Sequence, residues 1–436
     1  MQSLAALLAQ AGWNVSGSDM QPTAGLAKLL RIDEGHHGER VEGDLDLVVH
    51  SPAVTADNVE LAKARQLGVP VLSYPAMLGR LMAHRRGLAI AGTHGKSTTT
   101  AMAAGILKAA GLDPTVVFGA TPLGRPAGGW LGSDELLLAE ACEYRAHFLE
   151  LQPETAVLLG VEPDHFDFYR GPRHLAETFQ AFAHRVPAEG ALIANYDCPV
   201  ARQIAQTSGV PVEMFGLTPA AHWRAERMVS RSGYYSFELW QSGRHVTPIR
   251  LAVAGRHQVT NALAAAALAA RCGASAAAIR AGLARFRGLR RRLELRGEFG
   301  SVAVVDDYAH HPTEIRATLA AVRELYPGRR VCCVFQPHQE SRTRQLLGAL
   351  AQSLQNVETL VVAEIYRARE TAVGEPRTTA GQLAARARRL GAHVADVHHL
   401  DEIARLVNNT LRSGDVLLTV GAGDIGKIAD GFIERF

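Results

Sequence analysis

Cysteine is sparse in this chain: Cys142, Cys198, Cys272, Cys332 and Cys333 are an odd number with no Cys-x-x-Cys pair, so neither a disulfide framework nor a zinc ribbon is supported. No apolar run approaches the ~20 residues that cross a bilayer. The longest, such as Thr155 to Val161 and Asp415 to Val420, have the length of strands. The start, Met1-Gln2-Ser3-Leu4, lacks the basic opening and small-residue cleavage site of a secretory signal, which makes the cytoplasm the expected compartment. An excess of charge is missing too. Lys+Arg 46 against Asp+Glu 43 leaves a formal net charge of +3, without the basic face of a nucleic-acid or membrane-surface binder. Any anionic partner must therefore be held locally. Lysine is scarce, with Lys28, Lys63, Lys96, Lys108 and Lys427 as its only occurrences.

What is present fits a large globular protein. The 436 residues are 47% hydrophobic and 20% charged, which excludes disordered, collagen-like and coiled-coil classes. At roughly 150 residues per domain the length predicts about three domains. From Met1 to about Gly87, helix and strand patterns alternate, as in a βαβ sheet domain. A doubly wound domain normally starts with a strand and a glycine turn, yet here a helix comes first, so the chain is expected to begin one element late. The apolar run Leu88 to Ala91 opens a second α/β region, expected to be mainly parallel, with a more β-rich excursion at Tyr234 to Val253. The basic segment Arg287 to Arg292 reads as a hinge to a third α/β region. The expected boundaries are 1–86, 87–290 and 291–436.

The strongest chemical signal is Gly92-Thr93-His94-Gly95-Lys96-Ser97-Thr98, a glycine turn between a strand and a helix. Such a turn aims backbone N–H groups and the positive end of a helix at phosphate oxygens. Lys96 would neutralise the β/γ phosphates and Ser97 would reach Mg²⁺. The spacing is shorter than the strict phosphate-loop pattern, because Ile90 stands where the first glycine would be. Glu140, at the carboxyl end of a strand, can supply a hard oxygen to the metal, and His165, after another strand, can complete its shell or position a phosphate. Gly255 to Asn261 reads as the cap of an Ala-rich helix, which Asn261 opens, with its amide able to meet an adenine edge.

Two further loops, Asp306 to Glu314 and Phe335 to Arg344, carry His and Arg after strands and suit a carboxylate-bearing substrate. A zinc site there is disfavoured, since no His/Cys pair has ligand spacing with a third ligand nearby. Gly421-Ala422-Gly423-Asp424-Ile425-Gly426 has the G-x-G-x-x-G pattern of dinucleotide binding but lies near the end of the chain, so a tight strand-to-helix turn is the preferred reading. Asp19 is the ribose-type acid of the first region.

At these residues the chain resembles the Mur ligase family over nearly its whole length. The likeness rests on Ser16 to Asp19, Ala91 to Thr100, Glu162 to Asp167, Gly255-Arg256-His257, Asp306 to Glu314, Phe335 to His338, Ser341 to Arg344 and Gly421 to Ile425. It implies an α/β protein of three domains. The first is an N-terminal Rossmann-like, UDP-sugar-binding domain whose first strand and glycine loop are not visible here. A central P-loop ATPase-type domain and a C-terminal Rossmann-like, amino-acid-binding domain follow. The implied activity is ATP- and Mg²⁺-dependent joining of L-alanine to the lactyl carboxylate of UDP-N-acetylmuramate through an acyl phosphate, by a monomer or weak homodimer. On that likeness Gly92 to Thr98, His257, Asn261 and Arg292 bind the nucleotide, and Ser97, Glu140 and His165 hold the metal. Asp19, Ser51, Tyr308, His310, His338 and Arg342 meet the substrates. Catalysis then falls to Lys96, His165, His310, His338 and Arg342. The family pattern is broken at Cys142, Gly160, Gln258 and Gln339, where Asp, Asn, Asn and Arg are common. A sister ligase adding a recycled peptide or another amino acid, and a nucleotide-binding regulator without turnover, are the rival expectations.

Overall fold

Runs of aliphatic residues buried on both faces set the architecture. A computed structural model of the chain describes residues 1–20, 30–368 and 378–436. Its largest sheet has ten strands in the order Arg244–Ala254, Tyr234–Gln241, Trp223–Arg231, Val212–Gly216, Ala191–Asn195, Thr155–Leu158, Arg86–Ala91, Leu136–Ala141, Thr115–Val117 and Gly129–Trp130. At its centre stand β5 (Arg86–Ala91), β8 (Leu136–Ala141), β9 (Thr155–Leu158) and β10 (Ala191–Asn195), joined in parallel. Alternate side chains of β5 enter two separate cores. Leu88 and Ile90 pack with helices Lys96–Ala109, His257–Arg271 and Ala276–Arg285, while Ala89 and Ala91 face helices Tyr74–Met82 and Pro172–Ala183. A strand covered on both sides reads as a continuous apolar run, which is why the sequence marks it so plainly. In helix His257–Arg271 the stretch Ala262 to Ala269 is at most 1% exposed, and its small side chains let the backbone lie close to the sheet.

The β-rich excursion continues this same sheet as antiparallel strands β12 (Trp223–Arg231), β13 (Tyr234–Gln241) and β14 (Arg244–Ala254). The C-terminal sheet has the order Glu294–Phe299, β16 (Val302–Asp307), β20 (Val416–Val420), β17 (Val331–Phe335), Thr359–Ala363 and Val394–His398, in which β16, β20 and β17 are parallel and buried along their whole length.

The N-terminal strands are shorter and form two separate parallel pairs, β1 (Ser16–Asp19) with β2 (Arg31–Glu34) and β3 (Val48–His50) with β4 (Val71–Ser73). Helix Gln2–Gln10 turns Leu4, Leu7 and Leu8 into the core of the ten-stranded sheet, and Ser3 Oγ donates to Phe118 O at 2.6 Å. The first helix is thus anchored on the central unit. Among the described residues no helix is long and apolar enough to cross a membrane.

Candidate active site

The phosphate-type turn follows β5 and is shaped by two glycines. Gly92 has φ +142° and Gly95 φ +80°, and a Cβ on Gly95 would come 2.5 Å from Asn261 Oδ1. Only glycine fits that backbone without strain. Lys96, the first residue of the following helix, folds its ammonium back into the turn, donating to Gly92 O at 2.6 Å, Thr93 O at 3.2 Å and Glu143 Oε1 at 3.1 Å. Burial opposes the charge, but Glu143 outweighs it and holds the lysine pKa above its ordinary value. Ser97 Oγ donates to Glu140 Oε2 at 2.8 Å, and Gly119 N donates to the same carboxylate at 2.9 Å.

Glu143 was not singled out by the sequence reading, although it lies one turn of chain beyond Glu140. It is buried and takes Lys96 on one side and His165 Nε2, at 3.2 Å, on the other. Burial pushes its pKa up, and Lys96 and His165 more than reverse that. His165 therefore joins Lys96 through Glu143, while Ser97 and Glu140 touch directly.

Across the cleft, the C-terminal sheet presents a second cluster. Arg342 Nε donates to Asp164 Oδ1 at 2.7 Å, with both side chains about 5% exposed or less. Burial would raise the Asp164 pKa, but the guanidinium drives it well below the usual carboxylate range. Arg342, expected as an open fork for substrate, is thus committed to Asp164 and to His338, whose Nδ1 lies 2.8 Å from it. His310 Nδ1 is 3.0 Å from Tyr308 O, an acceptor, which leaves the lone pair on Nε2. Burial lowers the pKa of His310 to about 4 and, with Arg342 adding to it, that of His338 to about 3, so both rings are neutral near pH 7. Tyr308, His310 and His338 stand in sequence, with ring centroids 5.6 and 5.7 Å apart, and Arg292 lies 4.9 Å above Tyr308.

His94 bridges the two clusters. Its Nδ1 is 3.0 Å from Glu314 Oε1 and its Nε2 is 3.7 Å from Glu162 Oε2. Burial works against a charged ring, but the two glutamates prevail and raise its pKa to about 9. Glu162 and Glu314 stood inside the quoted motifs without a role of their own, because their meeting depends on the packing of separate segments.

Beyond the turn, a cavity of about 160 Å³ is lined by Thr98, Val253, Gln258, Phe286, Arg292 and Leu293. The helix beside it starts at His257, so Asn261 sits in its second turn; the expected opening at Asn261 is corrected. Helical backbone continues there because Gly255, at φ +103°, makes the break six residues before Asn261. Asn261 Nδ2 donates to Gln258 Oε1 at 3.0 Å, and Gln258 Nε2 lies 3.0 Å from His257 Nε2. Burial lowers the His257 pKa to about 4.

Asp19 closes β1, and Ser51 follows β3, its Oγ accepting from Ala53 N at 3.3 Å. Both stand on the N-terminal strand pairs rather than in the Lys96 cluster. A Cβ at Gly160 would meet open space, whereas Cys142 is exposed and falls between Glu140 and Glu143. Gln339 adopts φ +66° at the head of helix Glu340–Ser353.

Comparison with known proteins adds the context. Residues 1–86 match the Mur ligase family catalytic domain, 90–269 the Mur ligase middle domain, and 291–423 the Mur ligase glutamate ligase domain. The UDP-N-acetylmuramate--L-alanine ligase of Burkholderia cenocepacia is 39% identical over 447 residues, covering 100% of this chain and 95% of that protein. The enzyme of that name from Clostridium novyi is 37% identical over 440 residues, with the same coverage. The crystal structure of the UDP-N-acetylmuramate-alanine ligase of Thermotoga maritima superposes with a TM-score of 0.83 at 26% identity, covering 100% of this chain and 96% of that one.

Proposed function

The chain belongs to the Mur ligase family, and from that membership we infer that it is an ATP-dependent ligase that joins L-alanine to the lactyl carboxylate of UDP-N-acetylmuramate through an acyl phosphate, in peptidoglycan precursor synthesis. The observation that carries this reading is the Gly92–Thr98 turn with Lys96 and the Ser97–Glu140 pair, joined to the His310 and His338 group of the C-terminal sheet by the His94–Glu314 and Arg342–Asp164 contacts.

The site's own groups account for most of the work. Lys96 now satisfies carbonyls of the turn; turned outward, its ammonium spreads charge over the phosphate being transferred. Glu143 keeps that lysine charged and fixes His165. Ser97 and Glu140 offer two hard oxygens 2.8 Å apart, the donor set that Mg²⁺ prefers, and His165 stands one residue further out. Bound there, Mg²⁺ would supply charge neutralisation between phosphates. Gln258 lines the cavity beside the turn and accepts a hydrogen bond from Asn261, a polar pair that suits the nucleotide base. Neutral His310 keeps a lone pair on Nε2 with which to accept a hydrogen bond from the amino group of the amino acid and orient it for attack. Arg342 and Asp164 hold His338 in place. Asp19 and Ser51 stand with the UDP-sugar, and Tyr308 and Arg292 guard the junction between the two sheets. We place the enzyme in the cytoplasm, where ATP and its UDP-sugar are found.

The test is ADP release measured with UDP-N-acetylmuramate and, in turn, alanine, glycine, serine and a tripeptide. Alanine should stimulate release most. Stimulation by the tripeptide alone would instead identify a sister ligase, and nucleotide binding without stimulated release a regulator. Neither rival is favoured, because Lys96, Ser97 and Glu140 are all in place.

A further inference from the structure

Three side chains from distant segments aim at one spot beside the phosphate turn. His94 belongs to the turn, Glu162 follows β9, and His311 caps helix Pro312–Leu325 on the C-terminal sheet. His94 Nε2 lies 3.7 Å and His311 Nδ1 3.6 Å from Glu162 Oε2, and the ligand atoms of all three are within 4.8 Å of one another. Zinc bonds to N and O of about 2.0–2.1 Å give tetrahedral edges of roughly 3.3–3.4 Å, so side-chain shifts of well under ~1 Å close the triangle.

The surroundings already match what metal ligands require. His94 Nε2 is buried and has no hydrogen-bond partner among the described residues. Its Nδ1 is held by Glu314 at 3.0 Å, the carboxylate–imidazole pairing that orients a ligating histidine. His311 Nε2 faces Pro163 O at 3.3 Å, and a carbonyl there takes the ring proton, leaving on Nδ1 a lone pair that now accepts the capping N–H of Thr313 at 3.3 Å and would exchange that bond for a metal. Thr313 Oγ1 donates to Glu162 Oε2 at 2.6 Å. Two imidazoles and one carboxylate suit a borderline cation of the zinc type, unlike the all-oxygen Ser97–Glu140 pair. Glu162, 40% exposed, leaves an open side for a water as fourth ligand.

We propose that His94, Glu162 and His311 form a binding site for a zinc-type divalent cation that ties the phosphate turn to the C-terminal sheet. The sequence argument against zinc rested on His/Cys spacing along the chain; here the ligands come from three segments and only folding joins them. The two glutamates beside His94 attract a proton or a cation alike, so metal uptake releases a proton from that ring.

The experiment uses the full chain, stripped with EDTA and kept in excess Mg²⁺ to saturate the oxygen site, then titrated with CoCl₂ while visible absorption is recorded. One equivalent of Co²⁺ should give the intense band of a low-coordinate ion, bleached by Zn²⁺. His311→Gln and Glu162→Gln should each weaken that binding roughly tenfold or more, whereas Ser97→Ala should keep the band. Circular dichroism identifies a variant that fails to fold, and the other then decides. Absence of the band in the unaltered protein, or equal affinity in a folded variant, would overturn the proposal.

Discussion

The chain places a glycine-rich turn between a buried strand and a helix in both large sheets, and the two turns are filled in opposite ways. In the central unit the occupant of the Gly92–Gly95 turn is the ammonium of Lys96, a single cation on a flexible stem. In the C-terminal unit the turn from Gly421 to Gly426 is plugged by rigid protein groups. Arg291 donates to Gly421 O at 2.6 Å and Gly423 O at 2.8 Å, and Gln336 Oε1 accepts from Ile425 N at 3.2 Å. Arg291 is itself tied to buried Asp306 at 3.2 Å. The first turn can exchange its occupant for phosphate; the second has its carbonyls and its N–H already spoken for. A G-x-G-x-x-G pattern therefore specifies a backbone path, and neighbouring loops decide whether a ligand follows it.

That contrast can be broken or sharpened experimentally. The largest effect is expected for Lys96→Ala, which should cut alanine-dependent ADP formation by roughly 10²–10³-fold while leaving circular dichroism unchanged; near-normal turnover would remove the phosphate role. Next comes Arg291→Ala. It strands Asp306, which is 1% exposed, and should cost about 3 kcal/mol in urea unfolding of the C-terminal unit. A change below ~1 kcal/mol would mean the plug is dispensable. Gln336→Ala removes the contacts to Ile425 N and Asp424 and should cost about 1 kcal/mol, read by the same unfolding.

A pH dependence should accompany these effects. Burial disfavours a charged His94, yet Glu314 and Glu162 raise its folded pKa to about 9 from 6.5. A raised pKa means stabilisation that is complete below pH 6.5 and fades as pH climbs through about 9. Melting temperature should decline across that window, and His94→Gln should flatten the decline. An equal slope in the variant would assign the effect to other groups.

Much of this was legible before folding. Strands buried on both faces announce themselves as apolar runs, so β5, β9, β16 and β20 were plain, as was the Gly92–Thr98 turn. Local chemistry also placed Ser97 and Glu140 correctly beside one another. Glu143, Glu162 and Glu314 stood inside the quoted motifs but received no role, because the partners of their carboxylates lie 47, 151 and 220 residues away in the chain. No periodicity encodes such meetings. Arg342 was recognised as important but misread as open, since the sequence cannot say that Asp164 will occupy its guanidinium. The start of helix His257–Arg271 was misplaced because the backbone break at Gly255, not a side-chain cap, sets it.

The most direct measurement is a crystal structure of the chain with a non-hydrolysable ATP analogue and Mg²⁺. The account predicts phosphates against the N–H groups of residues 92–98, with the Lys96 ammonium moved off Gly92 O onto them and Arg291 still seated at Gly421. Phosphates bound elsewhere, or a lysine that stays folded into its own turn, would contradict it.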